Sequence, residues 1–287
     1  MAEIRKSLRC CGILLRRDLG GPKMWLIVVM MVVFSFYNYA PLCTIADFYK
    51  VPVAPWAYPF FLSFPTMQVV NNGLCLLLFS DTGETDGYAE LMVARSGHRA
   101  YMTGQLLCVI CMAFLYAAAL WALSILFTLP EIGWDADWGV LLHTLAESSG
   151  QVQGQTGVNL SIIVSPEVLA IFTPIEATLI CLVCIGLSAA FMGVLICFFR
   201  VFVSRPAGIF ATGILVAMAL FANSLGMFTF GRWLQFVSPL SWSGLLGIDW
   251  YHSGFAPGPE YVFTVWIGGI VVMSFAAVWK FGRRDLE

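Results

Sequence analysis

The stretch Ala177–Phe199, ATLICLVCIGLSAAFMGVLICFF, runs for 23 residues without one charged side chain. About 20 apolar residues in a helix cross the roughly 30 Å hydrocarbon core of a bilayer, and a helix satisfies its own backbone hydrogen bonds where lipid cannot. Comparable apolar runs recur along the chain, which is 60% hydrophobic and only 11% charged. Soluble domains carry about a quarter charged residues. The sequence therefore reads as an all-α integral membrane protein. Six spans are expected at about 24–44, 58–79, 101–128, 174–199, 207–230 and 261–280. No linker, second domain or internal repeat is visible, so residues 1–287 read as a single transmembrane domain.

The first 23 residues hold six Lys or Arg and an apolar stripe at Ile4, Leu8, Cys11, Leu15 and Leu19, the spacing of one helical face. That is the pattern of an amphipathic helix lying on the membrane surface, broken by Gly20, Gly21 and Pro22 before the first span. The apolar region that follows is too long for a secretory signal and lacks a small-residue cleavage site, so the segment is expected to stay in the mature chain.

An even number of spans puts both termini on one side. With that side cytoplasmic, only Lys50 and Arg232 of the Lys and Arg residues lie outside, a bias that sets the orientation by the positive-inside rule. Trp25, Trp56, Trp134, Trp233, Trp242 and Trp279 fall near span ends, as an aromatic belt requires. The localisation read from this is a cell membrane, of bacterial plasma-membrane type, with both termini cytoplasmic.

Other residue classes narrow the chemistry. The nine cysteines lie in spans, at their ends or in the basic segment. The Cys108/Cys111 and Cys181/Cys184 pairs read as apolar packers rather than a metal site, which would need thiolates desolvated together. His98, His143 and His252 are spread over both sides of the membrane, with no HExxH and no paired intramembrane carboxylates, so an intramembrane enzyme is disfavoured. No basic tract points to nucleic acid. Glu176 reads as half of a capping box with Thr173, with Pro174 at the first helical position, ahead of an ion or proton site. Residues 129–173 read as a long external loop containing the flexible run ESSGQVQGQTG, with a short helix starting at Ser165-Pro166-Glu167.

Between the second and third spans the character of the chain changes. Asp81, Glu84, Asp86, Glu90, Arg95 and Arg99 would together cost on the order of 15 kcal/mol at a bilayer centre. This strip is therefore expected in the cytoplasm. Within it Tyr88–Arg95 carries good helix formers, with Gly87 and Ser96-Gly97 as breakers and Leu91 and Met92 on a potential docking face.

Glu84-x-x-Gly87-x-x-Glu90-Leu91, followed by Arg99 and Gly104, resembles the coupling-helix region of type-2 ABC exporter permeases. Phe236-Val-Ser-Pro-Leu-Ser-Trp242 is similar to that family's serine-proline segment, and the layout of surface helix, six spans and basic tail matches over nearly the whole chain. Where the family often has proline this chain has Ser96-Gly97, and where it often has lysine this chain has Gln105.

The resemblance implies a permease subunit, not itself an enzyme, that pairs with a second membrane subunit, identical or different, and with cytoplasmic P-loop ATPase subunits. Glu84, Gly87, Glu90, Leu91, Met92, Arg95 and Arg99 would dock on the ATPase. Pro239 and Trp242 would belong to an external gate, with Pro239 in short external helices. ATP and Mg would sit on the partner, since this chain has no GxxxxGK[ST] and no cofactor of its own is expected. Gln68, Asn71, Asn72, Asn223 and Ser224 are placed to face a pathway or subunit interface, with interhelical hydrogen bonding as an equal alternative. The cargo would be a lipid, drug, glycan or peptide. The alternatives are an ion-coupled secondary carrier, which would want midplane charges and inverted repeats, and a peptide-sensing or immunity complex of the same fold.

Overall fold

Proline begins much of the helical structure. Pro22, Pro65, Pro166, Pro174 and Pro259 each stand in the first helical positions, where a missing N–H leaves no bond unmade. The computed structural model describes residues 2–82, 87–224, 229–254 and 256–283. Its helices are α1 (Ala2–Gly20), α2 (Pro22–Tyr49), α3 (Pro65–Phe79), α4 (Gly87–Ser96), α5 (His98–Thr128), α6 (Gly139–Thr156), α7 (Pro166–Ile171), α8 (Pro174–Phe202), α9 (Arg205–Ser224), α10 (Thr229–Val237) and α11 (Pro259–Gly282). Among the described residues there is no strand, only one isolated bridge between Val53 and Ile132.

Among the described residues five helices are long and apolar enough to cross a membrane: α2, α5, α8, α9 and α11. The chain is thus an all-helical, multi-pass membrane protein. The expected second span, 58–79, is not one continuous helix. Only Pro65–Phe79 is α-helical, 15 residues, which at about 1.5 Å per residue falls short of a bilayer core. Pro52, Pro55, Pro59 and Pro65 explain the change, because each removes an N–H donor and presses the residue before it toward extended backbone. Phe64, ahead of Pro65, has φ −91° and ψ 139°.

The segment from Val51 to Phe64 instead folds into the protein. Val53, Ala54, Ala57, Tyr58, Phe60, Phe61 and Leu62 are buried. Irregular backbone at membrane depth survives only where protein satisfies it. Here Val53 N donates to Glu131 O (2.7 Å), Gly133 N donates to Val53 O (2.9 Å), and Gln68 Nε2 donates to Leu62 O (3.0 Å).

α8 is the hub. Of its apolar window 72% is buried, against 22% for α9 and 17% for α11. Glycines let its neighbours approach: a Cβ at Gly186 would meet Phe114, and one at Gly193 would meet Val109 and Phe79. α9 and α11 leave Phe210, Ile214, Val272 and Phe275 exposed to the surroundings. The fifth expected span, 207–230, is described as α9 ending at Ser224 and α10 starting at Thr229.

Two further expectations change. The run ESSGQVQGQTG is not a loop, because α6 continues through Thr156 with a kink at Ser148 (φ −142°, ψ 36°). Val152, beyond the kink, is buried, and this anchors the polar half. On α1, the face packed against α5 is Ser7, Cys10, Cys11 and Leu14, while Ile4, Leu8 and Leu19 of the apolar stripe remain exposed. The helix thus has three faces, one toward protein, one apolar and open, and one carrying Arg5, Arg9 and Arg16.

The helix at Pro166 forms as expected. So does the capping box: Thr173 N donates to Glu176 Oε2 (3.0 Å), and Glu176 N donates to Thr173 Oγ1 (3.5 Å).

Candidate functional site

The charged groups gather at the bundle's ends. At one end lie α1, α4, the start of α5 and the last turns of α8 and α11. Arg200 Nη1 donates to Thr82 O (2.6 Å) and Lys280 Nζ to Phe202 O (3.3 Å), with the Lys280 ammonium 4.3 Å from the Phe202 ring centroid. Lys50 and Arg232 lie at the other end, where Arg232 Nη2 donates to Gly254 O (3.1 Å). The sign asymmetry read from the sequence is therefore also a spatial one.

α4 forms where helix formers are expected and stops at Gly97, whose φ of 87° and ψ of 155° no L side chain adopts readily. Ser96 Oγ donates to Met92 O (2.6 Å) and Gly97 N to Val93 O (2.8 Å), closing the last turn before α5 begins. The helix packs on α1 and α5. Ala89 is buried, and Met92 and Val93 pack against the core, while Leu91 is 62% exposed. The expected docking pair is thus split: Leu91 points away from the bundle and Met92 holds α4 to it. Gly87, Glu90, Arg95 and Arg99 are exposed. Glu84 lies outside the described residues. Gly104 faces α1, where it lets the two helices touch.

Gln68, Asn71, Asn72 and Asn223 make hydrogen bonds within the chain, although Asn72 Oδ1 is buried without a partner among the described residues. Tyr116 Oη donates to Asn71 Oδ1 (2.9 Å), tying α5 to α3. Asn223 Nδ2 donates to Gln68 Oε1, tying α9 to α3. Asn72 Nδ2 reaches Leu240 O (3.4 Å) in the segment before α11. Gln68, Asn71 and Asn72 are buried, whereas Ser224 is exposed at the end of α9. Interhelical bonds of this kind contribute on the order of 1 kcal/mol each.

The serine-proline segment is a buried plug at the far end. Pro239 does not lie in a helix: it follows α10 and precedes a single 3₁₀ turn, Leu245–Gly247. Its carbonyl accepts from Trp266 Nε1 (3.0 Å) of α11. Trp242 is 1% exposed, donates from Nε1 to Gln235 O (2.7 Å) and packs its ring against Trp266 and Tyr261. A Cβ at Gly244 would stand 2.8 Å from Leu62 O, so this plug and the buried 51–64 segment share a seam. Sequence reading missed that seam, although Pro52, Pro55 and Pro59 before α3 and the Pro-Leu-Ser-Trp run both signal irregular backbone.

Asp249 braces the same region. Its carboxylate accepts from Tyr251 N (3.2 Å), Ser253 Oγ (3.0 Å) and Gly254 N (2.7 Å), while its own N–H donates to Pro257 O (3.0 Å). Burial pushes its carboxyl up, but the bonds from Ser253, Gly254 and Tyr251 outweigh that and hold it below the usual carboxylate range.

Among the described residues no group of three or more His, Cys, Asp or Glu converges as metal ligands. His98 lies at the α4 end beside Phe281, and His252 lies with the Asp249 loop at the other. No protein-family model, curated protein or solved structure matches the chain.

Proposed function

We propose that this chain is the membrane-spanning permease subunit of an ATP-driven transporter of the type-2 ABC exporter kind. The observation that carries the reading is α4: a ten-residue helix outside the apolar spans, held to α1 and α5 by Ala89, Met92 and Val93, with Leu91 turned outward beside exposed Glu90 and Arg95. An apolar knob flanked by charges on a rigid short helix suits insertion into a groove of a partner. The partner is a separate P-loop ATPase carrying ATP and Mg.

In this mechanism ATP binding closes paired ATPases and displaces α4. α4 is continuous with α5 through one glycine hinge and is braced by α1, so its displacement tilts α5 against α8. A second membrane subunit, like or unlike this one, meets an exposed apolar face, and the pair opens outward to release a lipid, drug, glycan or peptide. The plug containing Pro239 and Trp242 is the external closure. Both termini are cytoplasmic in a bacterial plasma membrane, in line with the clustering of cations at the α4 end.

The test is photo-crosslinking from position 91 in native membranes. A P-loop ATPase should be the main adduct, and Leu91→Glu should abolish its co-purification while leaving the chain inserted. Quantitative ATPase recovery with Leu91→Glu, or labelling of position 91 from outside the cell, rejects the reading.

A further inference from the structure

The outer surface of α1 carries cations that nothing in the chain neutralises. Arg5, Lys6, Arg9 and Arg16 are exposed, and among the described residues none of the four makes an ion pair or a side-chain hydrogen bond. The two carboxylates of the helix do not answer them. Asp18 is paired with Arg17, and Glu3, two positions before Arg5, lies across the helix from it. Arg5 and Arg9 stand one turn apart, about 6 Å along the axis, and like charges at that spacing repel. An anion held between them removes the repulsion.

The neighbouring surface decides what kind of anion fits. Each arginine follows a residue of the apolar row, Arg5 after Ile4, Arg9 after Leu8 and Arg16 after Leu15, so the two rows run side by side, turned about 100° from one another. Ile4 and Leu8 are 66% and 58% exposed. Only Gly21 separates α1 from α2, whose Trp25, Leu26 and Val29 are also turned outward. The apolar row of α1 is thus continuous with a face that enters the bilayer, and the arginines beside it reach headgroup level. A soluble acidic partner would leave that row in water.

We propose that this face of α1 is a binding surface for anionic phospholipid, of the phosphatidylglycerol class. The phosphodiester bridges the Arg5 and Arg9 guanidinium groups, whose forked N–H donors suit it, and the acyl chains lie along Ile4 and Leu8. α1 offers no carboxylate on this face to receive the ammonium of a zwitterionic lipid, so a headgroup with net negative charge is preferred. Because α1 also packs on α4 and α5, the bound lipid steadies the platform on which α4 stands. The inference rests on α1 and the bilayer, and it stands whether or not α4 docks an ATPase.

Native mass spectrometry of the detergent-purified full chain tests it, with phosphatidylglycerol and phosphatidylcholine of the same acyl chains titrated separately. Phosphatidylglycerol should bind more tightly by about fivefold for each arginine it engages. The triple variant Arg5→Gln, Arg9→Gln, Arg16→Gln should bind the two lipids alike, whereas Lys50→Gln at the other end should keep the preference. If the triple variant does not accumulate, Arg9→Gln alone should lower the preference about fivefold. Equal affinity of the wild type for both lipids, or an undiminished preference in either arginine variant, overturns the proposal. Binding of chain-free glycerol phosphate as tight as that of the lipid overturns the membrane source, and a protein in place of lipid as the adduct of a photo-crosslinker at position 9 in native membranes gives the face to a partner instead.

Discussion

A Cβ built on Gly104 would lie 2.7 Å from Cys10 Cβ and 2.8 Å from Ser7 O, so α5 and α1 meet there at backbone distance. The surface helix is thereby keyed into the bundle at one point. Gly104→Val should destabilise the detergent-solubilised protein by about 1–3 kcal/mol, the range for overpacking. Limited proteolysis should then cut α1 faster, with the rest of the chain intact. An unchanged melting temperature together with unchanged cutting would show that α1 is not seated on Gly104.

Gly97 joins α4 to α5 at φ 87° and ψ 155°. Backbone of this kind is essentially glycine's alone, and another residue there is strained by about 1–3 kcal/mol. Gly97→Val should redirect α4. The change is expected to lower ATPase co-purification without reducing the amount of chain in the membrane. Retention of both at wild-type levels would free α4 from its assigned role.

The Tyr116–Asn71 hydrogen bond, between α5 and α3, is buried. Tyr116→Phe should cost about 1 kcal/mol, as should Asn71→Leu. The double variant should cost less than the sum, because each single change orphans the other's polar group. Strict additivity in thermal or chemical unfolding would mean that the two groups are not coupled.

Asp249 gives the loop from Asp249 to Pro257 a pH dependence. Its carboxyl is held below the usual range, so the anion is stabilised by folding. That contribution is complete above the unfolded-state value of about 3.9 and is lost as pH falls through the lower folded value. The protection of the Gly254 amide against exchange, relative to its intrinsic rate at each pH, should thus be the same at neutral and mildly acidic pH and fall below about pH 4. Asp249→Asn should exchange faster already at pH 7 and lose the acid dependence. A wild-type profile in that variant would assign the protection to other bonds.

Local signals carried much of the fold. The break at Gly20-Gly21-Pro22, the start of α7 at Pro166 and the Thr173/Glu176 box are each decided by residues within one turn of each other. The α4 helix was legible for the same reason, in its formers and breakers. Leu91 and Met92 were not separable, because which of two adjacent residues faces the bundle depends on where α1 and α5 stand.

The sequence by itself determined that this chain is helical and enters a membrane several times, since long uncharged runs have no other stable state in lipid. It also determined where most helices start, through proline and capping residues, and how charge divides between the two ends. Tertiary structure alone decided that 51–64 packs inside the protein, since its backbone partners Glu131 and Gly133 lie far along the chain. It likewise decided which face of α1 meets α5 and that Asn71 bonds Tyr116. Apolar periodicity measures how greasy each face is, whereas partner choice depends on close approach between distant segments, at positions such as Gly104 and Gly244.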